Sequence, residues 1–165
     1  TYPFYAKWAD HPRDEEASPF LAAFTQWLGS KEVLVEEVGI PCSNDARGAL
    51  IFTEEEAHDF YERLLKRLRH YPFLGILFWC YGDYAPSLWE QAPFDEKEHE
   101  RFFGLFRRDR SPKPFVSLLK EFRIEPSSLS FDWIDVDREE YFRDPLTHLS
   151  RLYRRFKESG SGLGA

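Results

Sequence analysis

The first regular pattern along the chain is a stretch of apolar residues at helical spacing between positions 19 and 28. Ser18 is the predicted N-cap, Pro19 the first helical residue and Gly29 the stop. A β-branched run, Glu32–Gly39, follows at once and predicts a buried strand that ends at a glycine. The apolar face of the predicted helix consists of Phe20, Leu21, Phe24, Trp27 and Leu28.

The same order, helix and then strand, is repeated after position 52. Thr53 and Glu56 have the spacing of a capping box. The predicted apolar face consists of Ala57, Phe60, Tyr61, Leu64, Leu65 and Leu68. Cations favour the last turn of a helix, and here they are Lys66, Arg67, Arg69 and His70. The next run, Phe73–Cys80, is almost continuously apolar, which is typical of a parallel strand covered on both faces.

Two further helices are predicted in the second half of the chain. Ser111 and Pro112 open the first, and Asp144 with Pro145 opens the last. The inward residues of the first are Phe115, Val116, Leu118, Leu119 and Phe122. Those of the last are Leu149, Leu152, Tyr153 and Phe156. Between them, Phe131, Trp133, Ile134 and Val136 predict an extra strand or loop with a structural role.

Helices that alternate with strands over short connections indicate a parallel α/β fold. Two strands are clear, and a third would end at Thr1–Pro3. A parallel sheet needs more strands, and a full barrel takes about 250 residues, more than the 165 present. We therefore expect the chain to be the later part of a larger fold, truncated at its N-terminus.

Composition narrows the function classes. The formal net charge is −7, and the Lys and Arg residues are spread through helical stretches, so nucleic-acid binding is disfavoured. No run approaches the ~20 apolar residues of a membrane span. The 2 cysteines have no spacing that would hold a metal, and they leave the compartment open. An aromatic content of 18%, partly in loops, hints at a stacking site.

Two adjacent carboxylates, Glu36 and Glu37, close the first predicted strand. Catalytic groups gather at that end of the strands in a (β/α)₈ barrel. Strict alternation would place Val35 and Glu37 on one face and Glu36 on the other. A solvated strand end is the alternative interpretation. The next strand ends near Trp79, so two neighbouring strand ends would present a carboxylate and a Trp to one cleft.

These residues resemble a known family. Leu34–Pro41 resembles the nucleophile strand of clan A glycoside hydrolases, especially family 5 cellulases and mannanases, which implies that Glu37 is the nucleophile. Gly75–Tyr84 resembles the eighth strand of that family, whose sugar-stacking Trp matches Trp79. Thr1–Pro3 resembles the end of the sixth strand and implies that Tyr2 lies beside the nucleophile.

A fourth element extends the resemblance. Glu100–Pro114 resembles the stretch before the last barrel helix, although Arg110 stands where glycine is usual. The resemblance covers residues 1–122 and implies strands six to eight, with their helices, of a (β/α)₈ TIM barrel. Residues 123–158 would be a post-barrel extension with the final helix, and residues 159–165 a flexible Gly- and Ser-rich tail.

The resemblance also implies a reaction. Retaining hydrolysis uses a carboxylate nucleophile and a second carboxyl group as acid/base, about 5–5.5 Å apart. The acid/base Glu of the family lies in an Asn-Glu-Pro motif, and the one Glu-Pro here, Glu125–Pro126, is not a credible match. We therefore predict no appreciable glycosidase activity for this chain alone. The expected substrate-binding residues are Tyr2, Trp79, Asp83, Tyr84 and Trp89.

A purely structural role stays open as an alternative for several of these residues. A Trp at a strand end is often core, and Asp83 after Gly82 is a normal turn residue. The acidic residues Asp132, Asp135 and Asp137 lack the spacing of a calcium loop, so capping is favoured, and we expect neither a metal nor a cofactor.

Three functions compete on this sequence. The first is part of a retaining β-glycosidase, with β-1,4-linked glucans or mannans as the substrates that the resemblance implies. The second is a non-catalytic carbohydrate-binding or interaction domain derived from such a barrel. The third is an unrelated α/β domain. An incomplete barrel exposes strand edges, so the expected partners besides carbohydrate are the N-terminal part of the barrel or a second copy.

Overall fold

A computed structural model describes residues 6–10 and 12–160. The strands are β1 (Leu34–Val38) and β2 (Gly75–Phe78). The helices are α1 (Ala17–Gly29), α2 (Glu54–Leu68), α3 (Val116–Glu121), α4 (Arg138–Arg143) and α5 (Pro145–Glu158), and two 3₁₀ turns cover Pro86–Leu88 and Glu98–Phe102. The third strand expected at Thr1–Pro3 and most of the predicted tail lie outside the described residues.

The two strands pair in parallel, as the alternation of helix and strand predicts. Leu34 lies opposite Gly75 and Val35 opposite Ile76, but Val38 lies opposite Phe78. Strand β1 therefore advances three residues where β2 advances two, which is a β-bulge. The expectation of strict alternation is wrong for this reason: Val35 and Val38 are both buried, while Glu36 and Glu37 are both exposed.

The two faces of this sheet differ in cover. Val35 and Val38 are 4% and 0% exposed and belong to the main hydrophobic core. On the same strands Leu34 is 43% exposed and Leu77 is 54% exposed. The expectation that β2 is covered on both faces is thus wrong within the described chain, because its helices pack against one side only.

Helix α2 follows its sequence signals closely. Thr53 is the N-cap, and both hydrogen bonds of the capping box with Glu56 are present. The six predicted apolar residues are all buried. Lys66 and Arg67 occupy the last turn, and Arg69 is the C-cap. Capping and periodicity agree here, so this helix is predicted correctly in place and in orientation.

Helix α1 begins earlier than its sequence indicates. Its first residue is Ala17, and Glu16 occupies the N-cap position, with its carboxylate 2.7 Å from Arg67 on α2. Ser18 is therefore not the N-cap; it lies in the first turn and is buried. The start has local contacts that the prediction overlooked: Asp14 Oδ1 accepts from the Glu16 amide and the Asp14 carbonyl accepts from the Ala17 amide, both at 3.2 Å, and the ion pair with Arg67 adds a long-range contact.

Helix α3 is shorter than predicted. Ser111 and Pro112 do not open it, because the chain from 111 to 115 is held in a loop. The Arg107 amide donates to the Ser111 carbonyl at 2.9 Å, and the Lys113 amide donates to the Leu105 carbonyl at 3.0 Å. Phe115 is the N-cap and is fully buried, whereas the other predicted inward residues are partly exposed.

The segment after α3 returns to pack on α1. Helix α5 begins at Pro145 with Asp144 as N-cap, as predicted. Trp133 lies in a loop, 5.6 Å from the Phe20 ring and 5.2 Å from the Phe156 ring. Its indole donates to the Ser130 carbonyl, and its own carbonyl accepts from Arg155. Residues 123–158 thus complete the core on the outer side of α1.

Candidate functional site

The predicted nucleophile and the predicted sugar platform lie at neighbouring strand ends. Glu37 is the penultimate residue of β1, and Trp79 directly follows β2. The Trp79 amide donates to the Val38 carbonyl at 2.8 Å, which joins the two strand ends. Glu37 is exposed, and the Trp79 side chain is 41% exposed. A carboxylate and an aromatic ring therefore emerge together at the carboxyl edge of the sheet.

Gly39, which ends the Glu-Val-Gly sequence, makes this junction possible. A Cβ atom at position 39 would lie 2.1 Å from the Trp79 carbonyl oxygen, far closer than two such atoms approach. The peptide bond that follows this carbonyl, Trp79–Cys80, is cis. The requirement for glycine after the predicted nucleophile is thus a contact with the backbone of the predicted platform.

Lys113 is a buried cation beneath this edge. Its side chain is 1% exposed, and its ammonium group donates three hydrogen bonds. The acceptors are the Cys42 carbonyl at 2.8 Å, the Phe102 carbonyl at 3.0 Å and Asp83 Oδ1 at 2.8 Å. Every donor of the ammonium is therefore satisfied within the protein.

Asp83, predicted as a sugar contact, is the anionic partner of Lys113. Its Oδ1 also accepts from the Gly104 amide at 2.9 Å. Burial raises the pKa of Asp83, while Lys113 and the Gly104 amide stabilise its carboxylate. A Cβ at position 104 would lie 2.1 Å from the Asp83 amide nitrogen, so only glycine fits there. The first role of Asp83 in this structure is to hold two loops together, and its contact with sugar stays a prediction.

A second ion pair, with a buried carboxylate and a half-buried guanidinium, lies next to the first. Glu54, at the start of α2, is 3% exposed and accepts from Arg107 Nε at 2.7 Å and also from Arg107 Nη2. The same guanidinium donates to Ser111 Oγ and to the Pro112 carbonyl, both at 3.0 Å. Hydrogen bonding to Glu54 raises the pKa of Arg107. This contact ties α2 to the loop that carries Arg107.

A polar cleft of about 350 Å³ lies over these charges. Acidic and basic groups both line it. Its lining residues include Ser43, Asp45, Glu54, Asp83, Arg107 and Asp109.

Tyr84 and Trp89 pack within their own loop. The Trp89 indole donates to the Tyr84 carbonyl at 3.0 Å, and the Arg101 guanidinium lies 4.8 Å from the Trp89 ring centre. The Tyr84 ring contacts Phe94, at 4.4 Å between ring centres. Both predicted sugar contacts are half-buried, and these roles also stay predictions. Tyr2, the fifth predicted ligand-binding residue, lies outside the described residues.

The remaining chemistry of the described chain is limited. Burial raises the pKa of Cys42 to about 12, and burial also raises the pKa of Cys80, so both stay protonated thiols near neutral pH. Among residues 6–10 and 12–160, no group of three His, Cys, Asp or Glu side chains could hold a metal ion. In the same part of the chain, no helix is long and apolar enough to cross a membrane.

Sequence reasoning missed the two charge pairs. Lys113 and Arg107 occur in a charged stretch, which favours side chains exposed to solvent. Glu54 is one of three acidic residues in a first helical turn, which are usually exposed as well. The available signal was Lys113 between two prolines, beside the apolar Phe115 and Val116. That context disfavours a solvated helix face, but it does not identify three acceptors from distant segments.

The comparisons with known proteins agree with this geometry at the level of fold. No protein-family model matches the sequence, and no curated protein sequence matches it. Solved structures do match. A GH5_18 protein from Streptomyces cattleya, in complex with GlcNAc, is 20% identical with a TM-score of 0.63; the match covers 92% of this chain and 38% of that one.

Two further matches come from other bacteria. A GH5_18 variant from Bifidobacterium longum subsp. longum, in complex with Manβ1-4GlcNAc, is 17% identical with a TM-score of 0.60, over 90% of this chain and 36% of that one. A β-glucuronidase from Faecalibacterium prausnitzii is 26% identical with a TM-score of 0.50, over 73% and 20%. The chain thus spans well under half of each structure. Its fold is similar to part of the TIM-barrel glycoside hydrolases, at a distant level.

Proposed function

We propose that this chain is the part of a retaining glycoside hydrolase that carries the nucleophile, Glu37, and a sugar platform, Trp79. The observation that carries the proposal is the shared position of the two residues. An exposed carboxylate is the penultimate side chain of β1, and an exposed indole directly follows the neighbouring parallel strand, with a hydrogen bond of 2.8 Å from the Trp79 amide to the Val38 carbonyl. The similarity in fold to glycoside hydrolases supports it.

The proposed chemistry follows from these groups. The Glu37 carboxylate attacks the anomeric carbon of a β-linked sugar and forms a covalent glycosyl-enzyme ester, and the leaving oxygen takes a proton from a second carboxylic acid. Water then attacks the same carbon while the second carboxylate takes its proton, and the bond to Glu37 breaks, which restores the Glu37 carboxylate. Trp79 packs against the apolar face of the sugar ring. The acid/base group belongs to a strand outside this chain, about 5–5.5 Å from Glu37.

One face of the sheet is uncovered, and it supports a proposal for the source of the strand that carries the acid/base group. Leu34, Leu74 and Leu77 are 43%, 63% and 54% exposed. A cleft of about 190 Å³ also runs between α1 and β1, and Leu21, Ala22 and Val33 help to line it. The matched structures extend well beyond the region shared with this chain. Further βα units of a barrel would cover these surfaces, either from the same parent polypeptide or from a companion; a second copy of this chain is the alternative.

Substrate choice is inferred at the level of class. β-linked oligosaccharides and polysaccharides are the proposed substrates, and Manβ1-4GlcNAc is the first compound to assay because one matched protein binds it. Most of the loops that form the sugar subsites would come from the other barrel units. The present chain therefore contributes the nucleophile and the sugar platform, and the other units determine most of the substrate specificity.

The test compares this chain alone with this chain plus a polypeptide that supplies the preceding five βα units. Hydrolysis of Manβ1-4GlcNAc, β-mannan and β-glucan is assayed, and a 2-deoxy-2-fluoro glycoside is used to trap the covalent intermediate. We expect activity in the complex only, and a mass increase on the peptide that contains Glu37.

Glu36 provides a matched control. Glu37→Gln is expected to abolish turnover and trapping, since an amide is not a nucleophile, while Glu36→Gln retains most activity. Robust hydrolysis by the chain alone would overturn the assignment of the acid/base to another segment. Full activity in Glu37→Gln would overturn the assignment of Glu37 as the nucleophile.

One observation favours a second function. The chain has an exposed Trp79 beside a carboxylate but no Asn-Glu-Pro sequence, which suits a carbohydrate-binding domain that cleaves nothing. Quenching of tryptophan fluorescence by oligosaccharide, lost in Trp79→Ala and accompanied by no hydrolysis in the assembled complex, would identify this alternative.

A further inference from the structure

The ammonium of Lys113 meets three separate segments of the chain at one point. Cys42 lies on the segment that follows Glu37, Asp83 lies on the segment that follows Trp79, and Phe102 lies on a third segment beside them. The cation is 1% exposed, so the protein alone supplies its partners. A leucine or methionine of similar length would fill the space but would bind none of these acceptors.

We propose that Lys113, with its partner Asp83, is a positioning residue of the candidate site. The pair fixes the distance between the segment after Glu37 and the segment after Trp79, and so holds the carboxylate and the indole in register. Its meaning for catalysis rests on the proposed function. The positioning itself does not, because it concerns the relative placement of two strand ends.

The path from Lys113 to Glu37 is short and buried. Gly39, Ile40, Pro41 and Cys42 are all buried, and the Cys42 amide donates to the Phe102 carbonyl at 3.0 Å. A shift of the Cys42 carbonyl is therefore transmitted along a packed backbone to the end of β1. Because Gly39 touches the Trp79 carbonyl, it moves that residue as well.

The path from Asp83 to Trp79 is equally constrained. The Cys80 amide donates to the Phe103 carbonyl at 3.0 Å, and the Asp83 amide donates to the Phe106 carbonyl at 2.9 Å. The segment between them thus runs alongside residues 102–106, to which Lys113 is also bonded through Phe102. One ammonium group sets the relative position of all three segments.

Lys113→Met tests the inference through hydrogen exchange of individual amides by NMR. We expect the exchange rates of the Trp79 and Cys80 amides, relative to those of amides in the middle of α2, to rise about tenfold or more, because local opening of the strand ends becomes easier. The amides in the middle of α2 should exchange at rates set by global stability alone. Arg107→Met removes the ion pair with Glu54 and is the matched control. In this variant the exchange rates of the Trp79 and Cys80 amides, relative to those in the middle of α2, should stay as in the wild type.

Asp83→Asn keeps the test valid if Lys113→Met does not fold, since the amide retains a hydrogen-bond acceptor for the ammonium. A smaller acceleration at the same two amides is expected. Uniform acceleration in all variants, or none at Trp79 and Cys80, would overturn the positioning role. In the assembled complex Lys113→Met should lower kcat more than it changes KM. The two proposals can fail separately. If Lys113→Met loses exchange protection at Trp79 and Cys80 while Glu37→Gln is still active, the assignment of Glu37 as nucleophile is wrong and the positioning role of Lys113 stands.

Discussion

The helical layer (α1, α2 and α5 with Trp133) and the loop layer (residues 79–113) of this molecule are held together by different interactions. In the helical layer, Phe20, Trp133 and Phe156 are buried, with ring centres 5.2–5.6 Å apart. In the loop layer, two ion pairs join separate segments: Lys113 with Asp83, and Arg107 with Glu54 at the start of α2, beside the buried rings of Phe102 and Phe103.

The difference follows from what each layer has to do. Apolar packing stabilises in proportion to the area removed from water and has little preference for direction. An ammonium or guanidinium group between fixed acceptors is directional and sets positions to within a hydrogen bond. The contacts of Lys113 lie in the segments beyond the two strand ends, at Cys42 and Asp83. Apolar packing therefore dominates the helical layer, while directional charged contacts are added to it in the loop layer.

The largest effect is expected in the helical layer. Trp133→Ala removes a buried ring that contacts Phe20 and Phe156, and it should lower the free energy of unfolding by about 3–5 kcal/mol. Urea denaturation followed by circular dichroism measures this change. Trp133→Phe, which keeps part of the ring packing, should cost clearly less. A loss below about 1 kcal/mol for the alanine variant would mean that this layer does not dominate stability.

Loss of one partner in the loop layer comes next. Lys113→Met should cost about 3 kcal/mol, because it leaves the Asp83 carboxylate buried without its cation. The double variant Lys113→Met with Asp83→Leu should recover part of that loss, since an apolar pair has no desolvation cost. Urea denaturation of both variants measures the coupling. Equal losses in the single and double variants would show that the charge pair is not the reason for the cost.

A smaller, pH-dependent effect is expected where α2 begins, between the two layers. The Thr53 amide donates to Glu56 Oε2 at 2.8 Å and lowers the pKa of Glu56 below its ordinary 4.5. The folded-state pKa is depressed, so this contribution is present above pH about 4.5 and is lost as pH falls through the lower folded value.

Glu56→Gln sharpens that expectation because glutamine can still accept the hydrogen bond but does not titrate. Wild type should lose about 0.5 kcal/mol more than this variant between pH 5 and pH 3, a modest amount because the carboxylate is solvent-exposed. Thermal denaturation across that range measures it. Parallel stability curves for the two proteins would contradict the assignment.

The smallest change in stability is expected on the open face of the sheet. Leu77 is 54% exposed, so Leu77→Ser should change the free energy of unfolding of the isolated chain by less than about 0.5 kcal/mol. The same change should weaken association with the rest of a barrel or with a second copy, as measured by sedimentation velocity. Val35→Ser on the buried face is the matched control and should destabilise the fold itself.

The helices and the parallel pairing could be predicted because their signals are local. The capping box of Thr53 and Glu56, the apolar periodicity of α2, and Asp144 before Pro145 each act within one turn of helix. Non-local contacts fix the parts that were predicted wrongly. The Lys113 amide bonds to the Leu105 carbonyl and keeps residues 111–115 in a loop before α3, and the bulge in β1 exists only in its register with β2.

The candidate site divides in the same way. The strand ends visible in the sequence give the exposed pair Glu36 and Glu37 and, on the next strand, Trp79, whereas the choice of Glu37 within the pair rests on the family resemblance and stays a prediction. Lys113 could not be predicted as buried, because its three acceptors come from positions 42, 83 and 102 and meet only in the folded chain. Hydrophobic patterns do not report where carbonyl groups converge.

The contact at Gly104 restricts how this sequence can vary. A single added carbon would meet the backbone of Gly82 at 2.3 Å and that of Asp83 at 2.1 Å, whereas nothing lies within 4 Å of the same atom at Gly29. A saturation library scored for folded protein should accept many amino acids at position 29 and glycine alone at position 104. Natural or engineered relatives that keep the charged loops should therefore share this glycine even where every neighbouring side chain has changed.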